Sequence, residues 1–435
     1  MERRSRLSLL MIILLLLLSA CDMSRDAQHD LEHPDEKLIT EKLVIWWDEG
    51  IPHRLFAAEA LEQRFANTRF EYHPFKPPPP QGLIPPNYMA PNLLEMMRSE
   101  PSPDLIVFDT RFLSLMIEAE YLDPIPDMYG LEIDYDIITE FRSIAPDLTL
   151  YALPLGRVAE GLFYNKAIFD EMRVPYPKDG MTWVEIMELA AALKSDRYKS
   201  IGIAVYDSLV SQLSLRLHDS GEERVDEDSE QWKRLMWILN TMKDFQEHHG
   251  VNDFLMSSFS VGDTAMVIGP VSGGKEFRPG LLSYESNLRL YDVDWDIVTF
   301  PVFDDGQRLQ PASQMMGIGI PSRSENKEDA YKVMRYLLSH EAQLDNSRKG
   351  LISLRSDAEG FREEFGSSSL LAGKSVSSFF SESPRGVRDP VFEFVFYTNL
   401  TLQSNVSPAA TIFRQHTAKL MNEREQFVEE MRSKF

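Results

Sequence analysis

The sequence predicts an α/β protein of two domains. Short apolar runs alternate along the chain with amphipathic stretches of helical period, which is typical of sheets with helices packed on them. The chain has 435 residues, and a single core seldom grows beyond about 250 to 300 residues, so two domains are expected. We find no tandem repeat of fixed period.

The N-terminal segment has the three-part layout of a secretory signal. Three arginines within the first six residues precede an apolar run at residues 9–18, and Ser19 and Ala20 are small. The run is shorter than the roughly 20 residues of a bilayer-spanning helix. Cys21, the only cysteine, follows directly. Residues 18–21 resemble the lipobox of bacterial lipoproteins, in which the preceding peptide is cut and the thiol carries a diacylglycerol.

The expected mature protein is therefore anchored by acyl chains at Cys21, on the extracytoplasmic face of the cell membrane. The alternative is an ordinary secretory signal with an incidental cysteine. Residues 1–20 are predicted as the signal peptide, and the polar, unpatterned residues 21–38 as a flexible tether.

The negative net charge of the protein limits the kinds of partner it can bind. Removing residues 1–20, with three arginines and one glutamate, changes the net charge from -23 to -25. Such a charge disfavours nucleic acid and a polybasic hold on anionic lipid, so the lipid is the only membrane contact predicted. Without a second cysteine, stability must come from core burial.

The first half of the chain predicts three strands, at residues 42–47, 69–73 and 105–108, with amphipathic helices after the first and the third. Between the second and third strands, residues 74–91 hold eight prolines. Proline lacks an amide hydrogen and fixes φ, so this stretch is predicted as a stiff surface loop.

The second half repeats the α/β pattern. Thr182 and Glu185 have the spacing of a capping box, which predicts a helix start. Apolar runs and helical periodicity predict the remaining elements: strands at 201–205, 265–268 and 293–297, the last exposed on one face, and helices at 232–245, at 330–338 and from Ala409.

Several short blocks stand in a distinctive order. They are Lys42-Leu43-Val44-Ile45-Trp46, Pro103-Asp104-Leu105-Ile106, Leu153-Pro154 followed by Leu162-Phe163-Tyr164-Asn165-Lys166, Gly262-Asp263-Thr264-Ala265-Met266, and Phe300-Pro301. Together they resemble the extracellular solute-binding proteins of ABC importers, of the maltose-binding type. The resemblance implies a two-lobed, periplasmic-binding-protein-like (type II) fold that closes over a solute and delivers it to the membrane subunits of an ABC permease.

The resemblance also implies the domain bounds. Lobe 1 is expected to comprise residues 39–156 plus 300–340, and lobe 2 residues 157–299 plus 341–435. Hinges are expected near Gly156-Arg157 and Val298-Thr299. Where the family commonly has an aromatic residue after the Ala-Met strand, this chain has Gly269 and Pro270.

Open α/β sheets bind ligands outside the carboxyl ends of their strands. An aromatic ring beside an acidic residue suits a sugar, whose C–H face packs on the ring while its hydroxyls bind the carboxylate. Strand alternation favours Trp46 in the core and Trp47 facing the cleft. Trp183 is expected to pack beside a helix cap, and Tyr164 to lie in the core or at the hinge. The predicted ligand-binding residues are Trp47, Asp48, Phe108, Asp109, Arg111, Tyr206, Asp207 and Gly269.

Catalytic and metal sites are not predicted. Asp292, Asp294 and Asp296 mimic the start of a calcium loop, but the turn glycine and the bidentate glutamate are missing. No nucleophile elbow, phosphate loop or zinc motif is present, so neither a cofactor nor an enzyme is expected. We predict a monomeric receptor that binds a carbohydrate. Two alternatives stay open at this point: a ligand-sensing subunit of a membrane kinase, and a secreted glycan hydrolase, which needs only two placed carboxylates.

Overall fold

Two sheets organise the part of the chain that the computed structural model describes. The described residues are 38–48, 58–75, 102–125, 131–203, 206–213, 218–219, 222–223, 228–246, 255–272, 280–304, 311, 315–357 and 360–380. The predicted signal peptide, the lipid site, most of the proline-rich loop and the C-terminal helix lie outside these ranges.

The described strands, in chain order, are β1 Lys42–Asp48, β2 Arg69–Phe75, β3 Leu105–Asp109, β4 Leu153–Val158, β5 Glu160–Asn165, β6 Lys199–Ile203, β7 His218–Asp219, β8 Glu222–Glu223, β9 Thr264–Pro270, β10 Trp295–Val298, β11 Met315–Gly319 and β12 Leu351–Ile352. The α-helices are α1 Ala58–Arg64, α2 Leu113–Glu118, α3 Tyr135–Ser143, α4 Lys166–Met172, α5 Trp183–Ala192, α6 Tyr206–Gln212, α7 Glu230–Gln246, α8 Leu255–Ser260, α9 Glu285–Leu290, α10 Lys327–Leu337, α11 His340–Arg348 and α12 Phe361–Glu364. Three 3₁₀ turns span Thr110–Phe112, Leu281–Tyr284 and Val376–Phe380.

The larger sheet has six strands in the order β12-β4-β11-β3-β1-β2, and we call it, with its helices, lobe 1. β1 is parallel to β2 and β3, and β11 is antiparallel to both β3 and β4. Every residue of β3 is buried, because this central strand is covered on both faces. One continuous core joins the strands to apolar side chains of α1, α2, α3 and α10.

Asp104 fixes the start of β3 in lobe 1. Its buried carboxylate accepts hydrogen bonds from the Val44 amide at 2.8 Å, the Ser324 hydroxyl at 2.8 Å and the Asn326 side-chain amide at 3.1 Å. The Asp104 amide in turn donates to the Val44 carbonyl. One side chain therefore holds β1, β3 and the segment before α10 together.

The smaller sheet has the order β10-β5-β9-β6, and we call it, with its helices, lobe 2. Alternation along β5 buries Leu162 and Tyr164 in one apolar cluster with Trp183, while Phe163 packs against Trp295 in a second cluster. Both faces of this sheet are thus covered. The capping box at α5 is formed, since the Thr182 hydroxyl accepts from the Glu185 amide and the Glu185 carboxylate accepts from the Thr182 amide.

The structure confirms the predicted strands of both lobes, with differences at their ends. Pro74 lies within β2 and not in the loop, which is possible because β2 is an edge strand. The strand predicted at 201–205 ends at Ile203. The face of β10 predicted to be exposed is partly covered, because Asp296 accepts a hydrogen bond from the Ser375 amide.

Six of the described strands escape the sequence patterns: β4, β5, β7, β8, β11 and β12. The last of them comes from the range 341–435 that is assigned to lobe 2, yet Leu351 and Ile352 pair with β4 in the sheet of lobe 1. Residues 360–380 pack on lobe 2, where Phe365, Leu371 and Phe379 join the cluster around Trp295. The predicted domain bounds as a whole stay a prediction.

Candidate functional site

The carboxyl ends of three lobe 1 strands lie along one edge of the six-stranded sheet. β1, β3 and β4 run in the same direction, since β11 is antiparallel to both of its neighbours. The amino ends of β11 and β12 lie at that edge too, because Met315 pairs with Arg157 and Leu351 pairs with Val158. In an open α/β sheet this is the edge that receives ligands.

The two tryptophans that end β1 occupy opposite faces of the strand. The Trp47 ring meets Tyr72 edge to face with centroids 6.3 Å apart, and the Trp46 ring stacks on His73 at 5.7 Å. Both indoles are only partly buried against the lobe 1 core. The sequence predicts Trp46 in the core and Trp47 in the cleft. In the structure each ring keeps some exposed surface, so the two residues differ less in burial than predicted. Asp48 is the last residue of β1.

Phe108 and Asp109 end β3 and are fully buried in this structure. Phe108 packs beside Gly317 of β11, where an added Cβ would lie 3.3 Å from the ring. Arg111 belongs to the 3₁₀ turn that follows β3 directly. All three positions lie at the predicted edge, and their contact with a ligand stays a prediction.

The matching edge of lobe 2 carries the remaining predicted residues. Gly269 lies one residue before the end of β9 and is buried. Tyr206 and Asp207 begin α6 instead of ending a strand, and they follow the carboxyl end of β6. Since β5 is antiparallel to β9, Glu160 at its amino end pairs with Pro270 at this same edge.

The two edges adjoin at a crossing of one residue. β4 ends at Val158, β5 begins at Glu160, and the carbonyl of Ala159 between them accepts a hydrogen bond from the Val271 amide at 2.8 Å. Tyr164, four residues further along β5, is buried in the core, which is one of the two positions expected for it. The strand-end edges of lobe 1 and lobe 2 are thus joined directly through Ala159.

Glycines on both sides of this crossing allow neighbouring segments to pack closely against it. A Cβ on Gly161 would lie 2.9 Å from the Val298 carbonyl oxygen and 3.0 Å from the Phe379 ring. On the lobe 1 side, a Cβ on Gly156 would lie 2.6 Å from the Leu351 side chain. Distances this short exclude any larger side chain without a shift of the neighbours. The crossing is therefore tightly packed on both sides.

A second connection between the lobes follows β10. The Thr299 amide donates to the Asp179 carboxylate at 2.9 Å, and the Thr299 hydroxyl accepts from the Gly180 amide at 2.7 Å. Phe300 then packs edge to face on Trp183, whose indole N–H donates to Gln212 at 3.0 Å. Trp183 is thus a core residue, as the sequence predicts. These contacts hold the start of the connection to lobe 2.

Two charged residues flank the first crossing, and the ligand predictions omit both. Arg157 ends the lobe 1 side, and Glu160 begins the lobe 2 side. Burial lowers the pKa of Arg157 to about 10; Glu160 opposes that shift, and Arg362 adds to it. The signal in the sequence is the presence of two charges within an otherwise apolar block that supplies two buried strands.

The described ranges contain neither a metal-binding cluster nor a helix able to span a membrane. Among these residues no three His, Cys, Asp or Glu side chains cluster as metal ligands do. None of the helices in the described part of the chain has the length and apolar character needed to cross a bilayer.

Comparison with known proteins identifies the architecture. The family profile described as bacterial extracellular solute-binding protein matches residues 88–344. No curated protein matches the chain. Among solved structures, an ABC substrate-binding protein of Listeria monocytogenes in complex with cycloalternan has a TM-score of 0.66 at 13% identity, covering 89% of this chain and 99% of its own.

Two further structures are similar. A solute-binding protein of an ABC transporter from Thermotoga lettingae, bound with α-D-tagatose, has a TM-score of 0.64 at 17% identity, covering 88% of this chain and 100% of its own. The maltotriose-binding protein of Thermus thermophilus, bound with maltotriose, has a TM-score of 0.60 at 16% identity, covering 87% of this chain and 99% of its own. At these identities the likeness establishes the fold, which is the two-lobed fold predicted from the sequence.

Proposed function

Since the chain belongs to the bacterial extracellular solute-binding proteins, we propose that it is the solute receptor of an ABC importer that captures a sugar or oligosaccharide. The observation that carries this proposal is the pair of strand-end edges that adjoin at Ala159. A solute held there touches both lobes, so it stabilises a closed arrangement that a membrane permease recognises. Delivery then requires only that the lobes reopen on the permease.

A carbohydrate fits the groups available at the lobe 1 edge. Trp47 keeps part of its indole exposed, and a sugar's C–H face packs well on such a ring. Asp48 follows it and supplies a carboxylate for hydroxyl donors. Three of the similar structures hold cycloalternan, α-D-tagatose and maltotriose, which supports a sugar as the ligand of this chain.

The test is a thermal-shift screen of the full-length protein against mono- and oligosaccharides. A ligand that binds only the folded state stabilises it by RT ln(1 + [L]/Kd), or about 2.7 kcal/mol at a hundred times Kd. We expect at least one sugar to raise the melting temperature in this saturable way. Failure of every sugar, together with a shift caused by amino acids or peptides, would contradict the carbohydrate assignment.

Binding without turnover is the second part of the proposal. The family consists of binding proteins, and the sequence contains no nucleophile elbow, phosphate loop or zinc motif. Mass spectrometry after prolonged incubation should therefore recover the bound sugar unaltered and in stoichiometric amount. Cleaved sugar that accumulates in proportion to protein would favour the glycan hydrolase instead.

The receptor is proposed to work as a monomer tethered to the outer face of the cell membrane through acyl chains on Cys21. The family is extracellular, and the leader with its single cysteine supports the anchor. Neighbouring reading frames test the role in transport. Two permease membrane subunits beside this gene support import, whereas a sensor kinase without permease subunits would favour signalling.

A further inference from the structure

The paired strands β1 and β2 carry side chains with exposed surface on one of their two faces. The strands are parallel, so paired residues lie on the same face and successive residues alternate between the faces. One face holds Leu43, Ile45 and Phe70, which belong to the lobe 1 core. The other face holds five residues that keep exposed surface, and we call them the outer strip: Lys42, Trp46, Arg69, Glu71 and His73.

An aromatic stack forms the end of the outer strip that is nearest to the ligand edge. The Trp46 and His73 rings are nearly parallel, with an interplanar angle of 21° and centroids 5.7 Å apart. The indole packs partly against the lobe 1 core, which fixes its position, and His73 is exposed. Both residues lie two positions before the end of their strand, so the stack is about 7 Å from the ligand edge.

Charged groups continue the outer strip away from the stack. The Glu71 carboxylate accepts a hydrogen bond from the Arg69 guanidinium and lies 3.3 Å from the Lys42 Nζ. All three side chains keep exposed surface, so they can also bind groups of a solute. A carboxylate accepts hydrogen bonds, whereas an ammonium and a guanidinium donate them. The strip therefore offers an aromatic surface together with acceptors and donors.

A sugar unit suits this combination of groups. Its C–H face packs on an aromatic ring, and its hydroxyls both donate and accept hydrogen bonds. An apolar solute would remove the charged groups from water without replacing their hydrogen bonds. The net charge of -23 disfavours a polyanion. Trp46, Trp47 and Asp48 are consecutive, so the outer strip is continuous with the proposed sugar site at the ligand edge.

We propose that the outer strip is a further subsite for a chain of sugars. One sugar unit lies at Trp47 and Asp48, and a later unit of the same chain packs on the stack of Trp46 and His73. This inference rests on the proposed function. It adds that the solute is an oligosaccharide and that its chain extends over the β2 side of lobe 1.

The experiment is calorimetric titration of the full-length protein with sugars of increasing chain length. The probes are glucose and the maltose series from two to six units, with the oligomers of the sugar found in the thermal-shift screen if that sugar is not glucose. His73→Ala removes the exposed ring of the stack, and His73→Phe keeps a ring there. His340→Ala is the matched control, because His340 is also exposed and packs on an aromatic ring, that of Phe361, at 4.7 Å.

We expect a chain of four units to bind at least fivefold tighter than a single unit. His73→Ala should weaken the four-unit chain about three- to tenfold and the single unit less than twofold, since only the longer chain reaches the stack. His73→Phe and His340→Ala should both stay within twofold of the wild type. The ligand-free melting temperature of His73→Ala should lie within about 2 °C of the wild type, because His73 is exposed.

The inference is overturned if affinity does not rise with chain length, or if His73→Ala weakens one unit as much as four. In both cases the proposed sugar receptor stands without the outer strip. It is also overturned if His73→Ala binds every chain like the wild type; reduced sugar uptake by cells carrying that variant would then assign the strip to contact with the permease. If no sugar of the series or of the wider screen binds, the proposed function itself fails, and this inference fails with it.

Discussion

Replacing Asp104 by alanine should destabilise lobe 1 strongly and leave solute binding intact. The carboxylate is 4% exposed and accepts three hydrogen bonds, from Val44, Ser324 and Asn326. Hydrogen bonds to a charged group contribute about 1.5 to 3 kcal/mol each, and an orphaned buried donor costs about 1 to 3 kcal/mol. Ser324 and Asn326 can turn toward other acceptors, but the Val44 amide lies in a strand and cannot. We therefore expect a loss of about 3 to 5 kcal/mol.

Asparagine at this position should have a smaller effect. Its oxygen can still accept from the Val44 amide, while its NH₂ group donates to the Ser324 hydroxyl, so about 1 to 2 kcal/mol should be lost. For a domain of 150 to 250 residues, each kcal/mol lowers the melting temperature by about 2 to 4 °C. Asp104→Ala should then melt about 6 to 20 °C early, and Asp104→Asn between it and the wild type.

Asp123→Ala is the matched control, since it removes an aspartate of the same lobe whose ion pair with Lys327 is partly exposed. Such a pair contributes about 0 to 1 kcal/mol. Thermal and urea unfolding followed by circular dichroism, with affinity measured below the transition, provide the readout. Asp104 lies at the amino end of β3, opposite the ligand edge, so affinity should not change. Melting of Asp104→Ala within 1 °C of Asp123→Ala would refute the reasoning.

Three other outcomes are expected. Burial acts to raise the pKa of Asp357, but Arg355 and His340 outweigh it and hold that pKa below its ordinary value. The ionised carboxylate therefore stabilises the folded state above about pH 4, and this contribution is lost as the pH falls. Asp357→Asn should make the melting temperature depend less on pH in the acid range. Cys21→Ala should move the protein to the aqueous phase of a detergent partition, whereas a free unmodified thiol in wild-type protein would exclude lipidation. Trp47→Ala should weaken sugar binding about tenfold or more in calorimetry, and unchanged affinity with early melting would make Trp47 purely structural.

Local patterns were sufficient for much of the fold. Apolar runs marked β1, β3 and β9 because a strand buried on both faces is continuously apolar. The Thr182 capping box marked the start of α5 because both of its hydrogen bonds are formed within four residues. The block Pro103-Asp104-Leu105-Ile106 is now explained physically by the hydrogen bonds of Asp104.

Other features depend on contacts between distant segments. β11 contains Gly317 and Gly319, which lower strand propensity, yet these glycines fit against the Phe108 ring and Leu122 inside the sheet. Its placement between β3 and β4 follows from pairing over more than 150 residues. The environment of Arg157 depends on the same pairing and on β12, so the sequence does not predict that this residue is partly buried within the sheet.

The most direct test is a crystal structure of the protein with the sugar that the screen identifies. The account predicts one sugar between the lobes, in contact with the lobe 1 edge at Trp47 and with the lobe 2 edge beside Glu160 and Gly269. A sugar bound on the outer surface of a single lobe, with the space beside Ala159 empty, would contradict it.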